Sequence, residues 1–240
     1  MKSPLDAHVL LYLGPVPITT VVVVTAAIVA LLSLAGFVAG RRFARDPSRT
    51  PSRTQAALEL VVEAVDTQIR HTMRVEPAPY RGFVGTLFVF VLVSNWASLA
   101  PGVEPPTARL ETDAALALIV FFAVAVFGVR AGGWRGYLAT FATPSPIMIP
   151  LNFVESLTRT FSLLVRLFGN VMSGVFVIGI VLSLAGLLVP IPLMALDLLT
   201  GAVQAYIFAI LAMVFIAGAI GDDGAANPVP PAPPSDRNPR

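Results

Sequence analysis

The 240-residue sequence has no cysteine and little charge, and both absences exclude whole classes of protein. Without cysteine there is no disulfide, no thiolate nucleophile and no sulfur-ligated metal. Only 12% of the residues are charged, about half the fraction that soluble domains carry. The two histidines, His8 and His71, have no second ligand at metal-binding spacing, and the net charge of +2 does not suggest nucleic acid. We therefore expect no metal or other cofactor.

Long apolar runs, in contrast, are abundant. Hydrophobic residues make up 56% of the chain, and several runs reach the length of about 20 residues that a helix needs to cross a bilayer. The sequence predicts an all-α integral membrane protein with five transmembrane helices, at residues 18–39, 82–103, 114–129, 156–188 and 192–220. The last two exceed the length of a perpendicular helix, so we expect a tilted hairpin over residues 156–220, joined at LVPIP.

The first apolar run has an alternative interpretation as a secretory signal peptide. It is longer than a typical signal-peptide core, and its basic residues follow it, in GRRFARDPSRTPSR, rather than precede it. We therefore favour a retained helix. Residues 1–17 are then a short N-terminal segment, and residues 18–220 form a single membrane domain.

The distribution of arginine predicts the orientation of the chain. Residues 40–81 contain eight arginines and residues 130–159 contain three, whereas the loop at residues 104–113 contains only Arg109. The positive-inside rule places the arginine-rich segments in the cytoplasm. The N-terminus is then outside and, after five crossings, the C-terminus is cytoplasmic. Residues 221–240, rich in proline and small residues, are predicted to form a disordered cytoplasmic tail.

Residues 52–73 have the periodicity of an amphipathic helix. Apolar residues recur at helical spacing with charged residues opposite: Leu58, Val61, Val62, Val65 and Ile69 against Glu59, Glu63, Asp66 and Arg70. This pattern favours a helix on the cytoplasmic surface of the membrane. The alternative is a helix packed on a soluble partner.

Polar side chains within the last two spans form two helical stripes. Each has members at i, i+4 and i+7, which lie on one face: Arg166, Asn170 and Ser173 in the fourth span, and Asp197, Gly201 and Gln204 in the fifth. A buried ionisable residue is by default a functional hypothesis. The alternatives are that Arg166 snorkels to the interface, that Asp197 is an interfacial carboxylate, and that Gln204 only bonds a neighbouring helix.

A straight hairpin would keep the polar stripes of the fourth and fifth spans apart. In straight helices that diverge from the LVPIP turn, Arg166 and Gln204 would lie about 18 Å apart along the axis. Only a bent, tilted or staggered pair brings them together.

The stretch SLLVRLFGN, residues 162–170, resembles the signature of subunit a of F-type ATP synthases, the membrane stator of the Fo sector. Three more stretches resemble that family in the same order, PSRTQAALELVVEAV, GTLFVFVLVSNWASLAPGVEPPTA and GAVQAYIFAILAMVFIAGAI. The short N-terminus, PPTARLETDAALAL and LFGNVMSGVFVIGIV look most like the alternate bacterial form called N-ATPase.

The resemblance implies an ion-translocating stator subunit in the bacterial inner membrane, present in one copy per complex. Its partners would be the c-ring, the b-type subunits of the peripheral stalk and the lipid bilayer, and no nucleic acid. Two offset half-channels would face the ring, and Arg166, which matches the family's essential arginine, would drive ion release from the rotor carboxylate. The sequence has no glycine-rich phosphate loop, so we expect no nucleotide site and no catalytic site of its own.

The resemblance also assigns an ion pathway. Asn170 matches the asparagine after the arginine, Gln204 the glutamine of the last helix, and Asn95 a polar position of the second span. Asp197 stands where members carry a histidine, an acid or a small residue, and Val175 replaces an acid or histidine found in many members.

These matches predict the lining of two half-channels. The outer one would contain Asn170, Asp197 and Gln204, with Glu111 or Asp113 at its mouth, and Ser173 belongs to the same ion pathway. Glu155 is the candidate for the cytoplasmic one.

Two alternatives belong to other classes of protein. A secondary ion transporter would need a substrate site between repeated halves, and the sequence shows no repeat. A structural membrane subunit would need no buried arginine.

Overall fold

A computed structural model describes residues 9–13, 16–45, 53–99, 105–141, 146–185 and 189–221. Within these ranges there are six α-helices: α1 Thr20–Arg45, α2 Arg53–Met73, α3 Ala78–Trp96, α4 Leu110–Phe141, α5 Ile149–Ala185 and α6 Pro190–Ile220. Short 3-10 turns cover Ala97–Leu99, Pro106–Ala108 and Pro146–Met148. The predicted all-α class is confirmed. The sequence does not predict the small antiparallel hairpin of β1 (Val9–Leu13) and β2 (Val16–Thr19) before α1. The predicted tail lies outside the described residues, except Gly221.

Four helices, α1, α4, α5 and α6, are each long and apolar enough to cross a membrane. Helices α2 and α3 are separated by a bend of 111° and together supply a fifth candidate, in agreement with the predicted number of spans. At the bend Arg74 has a positive φ of 57°, and Pro77 caps the start of α3. The bend directs the amphipathic α2 away from the axis of α3, as expected for a surface helix that leads into a span.

Helices α4 and α5 are longer than the predicted spans. Because α4 extends to Phe141 and α5 begins at Ile149, most of the loop predicted at residues 130–159 is helical, and that prediction is wrong. Asp113 does not mark the start of α4, since it lies in the first turn, where a carboxylate interacts favourably with the helix dipole. Pro150 lies in the first turn of α5, where its missing N–H leaves no helical bond unmade.

Helix α4 is bent at Gly133, whose φ of 69° lies in the left-handed region that favours glycine. The bend lets Tyr137 pack back onto Gly128, where any Cβ would collide with the tyrosine ring. A Cβ at Gly128 would also lie 3.1 Å from the carbonyl oxygen of Ala219. The C-terminal part of α4 therefore lies against the C-terminal end of α6.

Helix α6 is the centre of the bundle and packs against α2, α3, α4 and α5. Half of the most apolar stretch of α6 is buried, whereas only 11% of the corresponding stretch of α5 is. The main core joins four helices through Leu87 and Val91 of α3, Leu116 and Val120 of α4, Leu163 and Leu167 of α5, and Ala205, Phe208 and Ala212 of α6. The alanines let neighbouring helices approach closely. Helix α5 is left with a large apolar face that the described residues do not cover.

An ion pair between Asp66 and Arg81 fixes α2 to α3. The sequence pattern places Asp66 on the polar face of α2, but it is buried, at 8% exposure, beside Ile69. We expect Asp66→Ala to lower the free energy of unfolding by about 1–2 kcal/mol, because Arg81 loses a two-point charge-assisted hydrogen bond while staying partly solvated.

Denaturant unfolding of the purified protein in detergent measures this effect. Glu63→Ala is the matched control, since Glu63 is an exposed acid on the same helix. Equal losses of stability in the two variants would show that the pair contributes nothing specific.

Candidate functional site

The stagger between α5 and α6 determines which polar residues meet. Asp197 of α6 lies so close to Gly174 of α5 that any Cβ at position 174 would collide with its carboxylate. Towards the other ends of the helices, the guanidinium carbon of Arg159 lies 5.5 Å from the ring centroid of Phe215. These two contacts fix the register of the pair.

This register places Arg166 and Gln204 at nearly the same level. Arg166 precedes Gly174 by eight residues, and Gln204 follows Asp197 by seven. At about 1.5 Å per residue, Arg166 and Gln204 each lie about 10–12 Å along their helices from the contact of Asp197 with Gly174. They are therefore nearly level, whereas a straight hairpin would separate them by about 18 Å along its axis. The side chains nevertheless differ in environment. Gln204 is buried, and its Nε2 has no hydrogen-bond partner among the described residues, whereas Arg166 is exposed.

The Arg166 stripe lies on the uncovered side of α5. Ser173 is exposed, and its hydroxyl donates to the carbonyl oxygen of Asn170 at 2.8 Å. Asn170 is half-buried. Within the part of the chain that the structure describes, Arg166 has no ion pair and no side-chain hydrogen bond.

A hydrogen-bonded cluster joins the end of α3 to α6 beside Asp197. Asn95 donates through Nδ2 to the carbonyl oxygen of Gly201 at 2.9 Å and accepts from the hydroxyl of Thr107 at 2.8 Å. The Oγ of Ser98 lies 2.9 Å from the carbonyl oxygen of Asn95 and 3.3 Å from Oδ2 of Asp197. Asn95 and Thr107 are buried, so the cluster belongs to the interior of the bundle.

Ser98 and Thr107 are absent from the predicted site. Ser98 has a signal in the sequence, because it follows Asn95 by three residues and so lies on the same side of a helix. Thr107 belongs to the segment between α3 and α4, and only the tertiary structure brings it to Asn95. Gly201 completes the cluster, since a Cβ there would lie 3.1 Å from the Cβ of Asn95.

The two acids predicted at the outer mouth occupy different environments. Glu111 is exposed in the first turn of α4. Asp113 is fully buried, and neither of its carboxylate oxygens has a hydrogen-bond partner within the described residues. Only Asp113 therefore faces the interior of the bundle.

A cavity of about 600 Å³ extends along α5 from Leu151 to Arg166. Glu155, Arg159 and Arg166 line it from α5, and Leu211 and Phe215 line it from α6. Glu155 forms an ion pair with Arg159, one turn along the helix. Glu155, the candidate for the cytoplasmic half-channel, therefore lines the same cavity as Arg166.

The fold and the site define a class of protein, a polytopic α-helical membrane protein. It has an arginine on an exposed helix face, with no ion pair to the residues that the structure describes, and a cluster of amide and acid side chains where α3 meets α6. Among the described residues, no group of histidine and acidic side chains could hold a metal ion.

Comparison with known proteins gives the family. The family model described as ATP synthase A chain matches residues 19–217. ATP synthase subunit a 2 of Bradyrhizobium sp. is 54% identical over 220 residues, which cover 92% of this chain and 97% of the relative. ATP synthase subunit a 1 of Chlorobaculum parvum is 45% identical over 214 residues, which cover 89% of this chain and 94% of the relative. The chain therefore belongs to the ATP synthase A chain family, and the predicted resemblance to subunit a is confirmed. The N-ATPase assignment stays a prediction.

Proposed function

We propose that this chain is the ion-translocating stator subunit of a rotary F-type ATP synthase in a bacterial inner membrane. The observation that carries the proposal is Arg166, an exposed arginine on the apolar face of α5 that has no ion pair with any described residue. A charge that faces hydrocarbon costs several kcal/mol or more, so it calls for a partner of opposite charge. A ring of subunits that each present one carboxylate to this face supplies that partner.

The chemistry of Arg166 follows from its fixed charge. A rotor carboxylate is neutral where it faces lipid, because the ionised form is costly there. Opposite Arg166 the ionised form is favoured, so the carboxylate releases its ion before it passes and takes up another afterwards. Arginine keeps its proton at physiological pH and cannot relay protons, so it also blocks a direct leak.

Two offset ion paths lead to Arg166, one from each side of the membrane. On one side, Asp197, Asn95 and Gln204 form the interior polar route, with Ser98 beside the carboxylate of Asp197. Asn170 and Ser173 continue it along α5 towards Arg166, and Asp113 lies in the same half of the bundle, near the start of α4. On the other side, the cavity that contains Glu155 opens next to Arg166. The arginine therefore lies between an outer and a cytoplasmic half-channel.

Packing supports the proposed orientation. Ile69 and Met73 of α2 pack with Ile216 and Ile220 near the C-terminal end of α6, and Gly128 of α4 lies against Ala219. Helix α2 and the part of α4 that leads to Arg130 therefore lie at the same end of the bundle, and the arginines beside them place this end in the cytoplasm by the positive-inside rule. The N-terminus is then outside and the C-terminus inside.

Site-directed cross-linking tests the ring partner, and the absence of cysteine from the chain makes every introduced thiol unique within it. Single cysteines at the exposed Ser162 and Gly169, labelled with a photoreactive maleimide, should cross-link to the small ring subunits in the intact complex. Gly169 has open space for a side chain. Val171→Cys, on the buried face, is the control and should give no product. Products from Val171→Cys alone, or from none of the three, would contradict the assignment of this face.

A further inference from the structure

We infer that Arg159 is a second fixed charge of the cytoplasmic cavity, a positioning residue that neutralises Glu155 and thereby sets the ion concentration at which the rotor reloads from the cytoplasm. The inference rests on the proposed function, because it assumes that ions reach the rotor through this cavity. It assigns a role to Arg159, which precedes Arg166 by seven residues on the same face of α5 and lies outside the outer cluster.

The geometry links Arg159 to both walls of the cavity. Its guanidinium pairs with Glu155 on α5, and it lies over the ring of Phe215 on α6. The side chains of Arg159 and Glu155 are 47% and 52% exposed, so the pair faces the cavity rather than the core. An exposed pair one helical turn apart contributes little to folding. The pair therefore matters more for the charge of the cavity than for the stability of the fold.

The charge of the cavity depends on three groups. Among the described lining residues the charged ones are Glu155, Arg159 and Arg166, all on α5, whereas Leu211 and Phe215 of α6 carry no charge. With Glu155 ionised, the cavity has a net charge of +1. Arg159 lies seven residues from Arg166, about 10 Å along the helix. At that separation, one unit of charge changes the occupancy of a cation near Arg166 roughly 2- to 10-fold, depending on the local dielectric.

Charge variants test the inference in inverted vesicles that contain the whole complex, where the cytoplasmic face is outside. The quantity measured is the external ion concentration that gives half-maximal ATP-driven uptake, with pH and sodium varied separately. Arg159→Gln lowers the cavity charge to zero, so this concentration should fall roughly 2- to 10-fold. Glu155→Gln raises the charge to +2, so it should rise by a similar factor.

Two further variants separate charge from structure. Arg159→Lys keeps the charge and should keep the wild-type half-saturating concentration. The double variant Glu155→Gln with Arg159→Gln has the wild-type net charge of +1, so its half-saturating concentration should return to the wild-type value, whatever its maximal rate. Co-purification with the ring subunits confirms assembly of each variant.

The outcomes that overturn the inference differ from those that overturn the proposed function. If Arg159 only braces α5 against α6, Phe215→Leu will reproduce the effect of Arg159→Gln and the double variant will not recover. An unchanged half-saturating concentration in Arg159→Gln also overturns it. In both cases ATP-driven uptake still depends on Arg166, and the proposed function is unaffected.

Discussion

Replacement of Arg166 by alanine should lower ATP-driven ion uptake by roughly 100-fold or more in vesicles that hold the whole complex. Arg159, on the same face of α5, is paired with Glu155 and lies about 10 Å away, so it does not replace this charge. Under the proposed function, the rotor carboxylate then keeps its ion instead of releasing it as the rotor passes. Loss of one preorganised electrostatic group commonly costs 100-fold or more in rate, and we expect a loss of roughly this size. Proton and sodium uptake are measured separately, which also identifies the coupling ion.

Val165 supplies the matched control for this experiment. It is the neighbouring residue and is 48% exposed, so Val165→Ala shortens an exposed side chain of α5 without removing a charge. Uptake should stay close to that of the wild type, and co-purification with ring subunits should show that both variants assemble. Undiminished uptake in an assembled Arg166→Ala complex would mean that Arg166 only snorkels to the interface, and the proposed function would lose its central residue.

The sequence predicts the membrane helices well because the bilayer imposes a length on apolar runs. The last predicted span, at residues 192–220, differs from α6 by two residues at its start. That difference comes from Pro190, since proline is favoured in the first turn of a helix. The amphipathic helix predicted at residues 52–73 corresponds to α2. For α6 and α2, the sequence pattern follows directly from the environment expected for the helix, which is hydrocarbon for α6 and the membrane surface for α2.

Helix ends outside the apolar runs follow other rules. Hydropathy reports the part of a helix that suits hydrocarbon, and it does not show that α4 continues to Phe141 or that α5 begins at Ile149. The bend at Gly133 depends on a single backbone conformation, which composition does not reveal.

In the candidate site, too, the sequence predicts the relations within one helix and misses the contacts between helices. Helical spacing groups Arg166 with Asn170, and Asp197 with Gln204, because each pair lies on one helix. The register between α5 and α6 depends on tertiary contacts such as that of Asp197 with Gly174, which spacing within one helix does not reveal. Thr107 is a further case, since its bond to Asn95 joins two segments of the chain through the fold.

Asp197→Asn should lower ATP-driven ion uptake roughly 100-fold while the complex still assembles. Asparagine has the shape of aspartate, so it fits beside Gly174 and Ser98 without a new collision. It cannot take up and release a proton, nor does it carry the negative charge that would attract another cation. Because Val175 leaves α5 without an acid at the neighbouring position, the carboxylate of Asp197 is the group through which we expect ions to exchange with the outer side, and in ATP-driven uptake they would leave the rotor there.

Variants of the other acids show whether the loss of uptake is specific to Asp197. Glu63→Gln removes an exposed acid of α2 and should leave uptake near the wild-type rate. Asp113→Asn tests the buried acid of α4, and a loss comparable to that of Asp197→Asn would indicate that ions pass between the two carboxylates. A large loss in Glu111→Gln together with normal uptake in Asp197→Asn would contradict the prediction. The outer path would then follow the exposed start of α4 and bypass the cluster of Asn95 and Ser98.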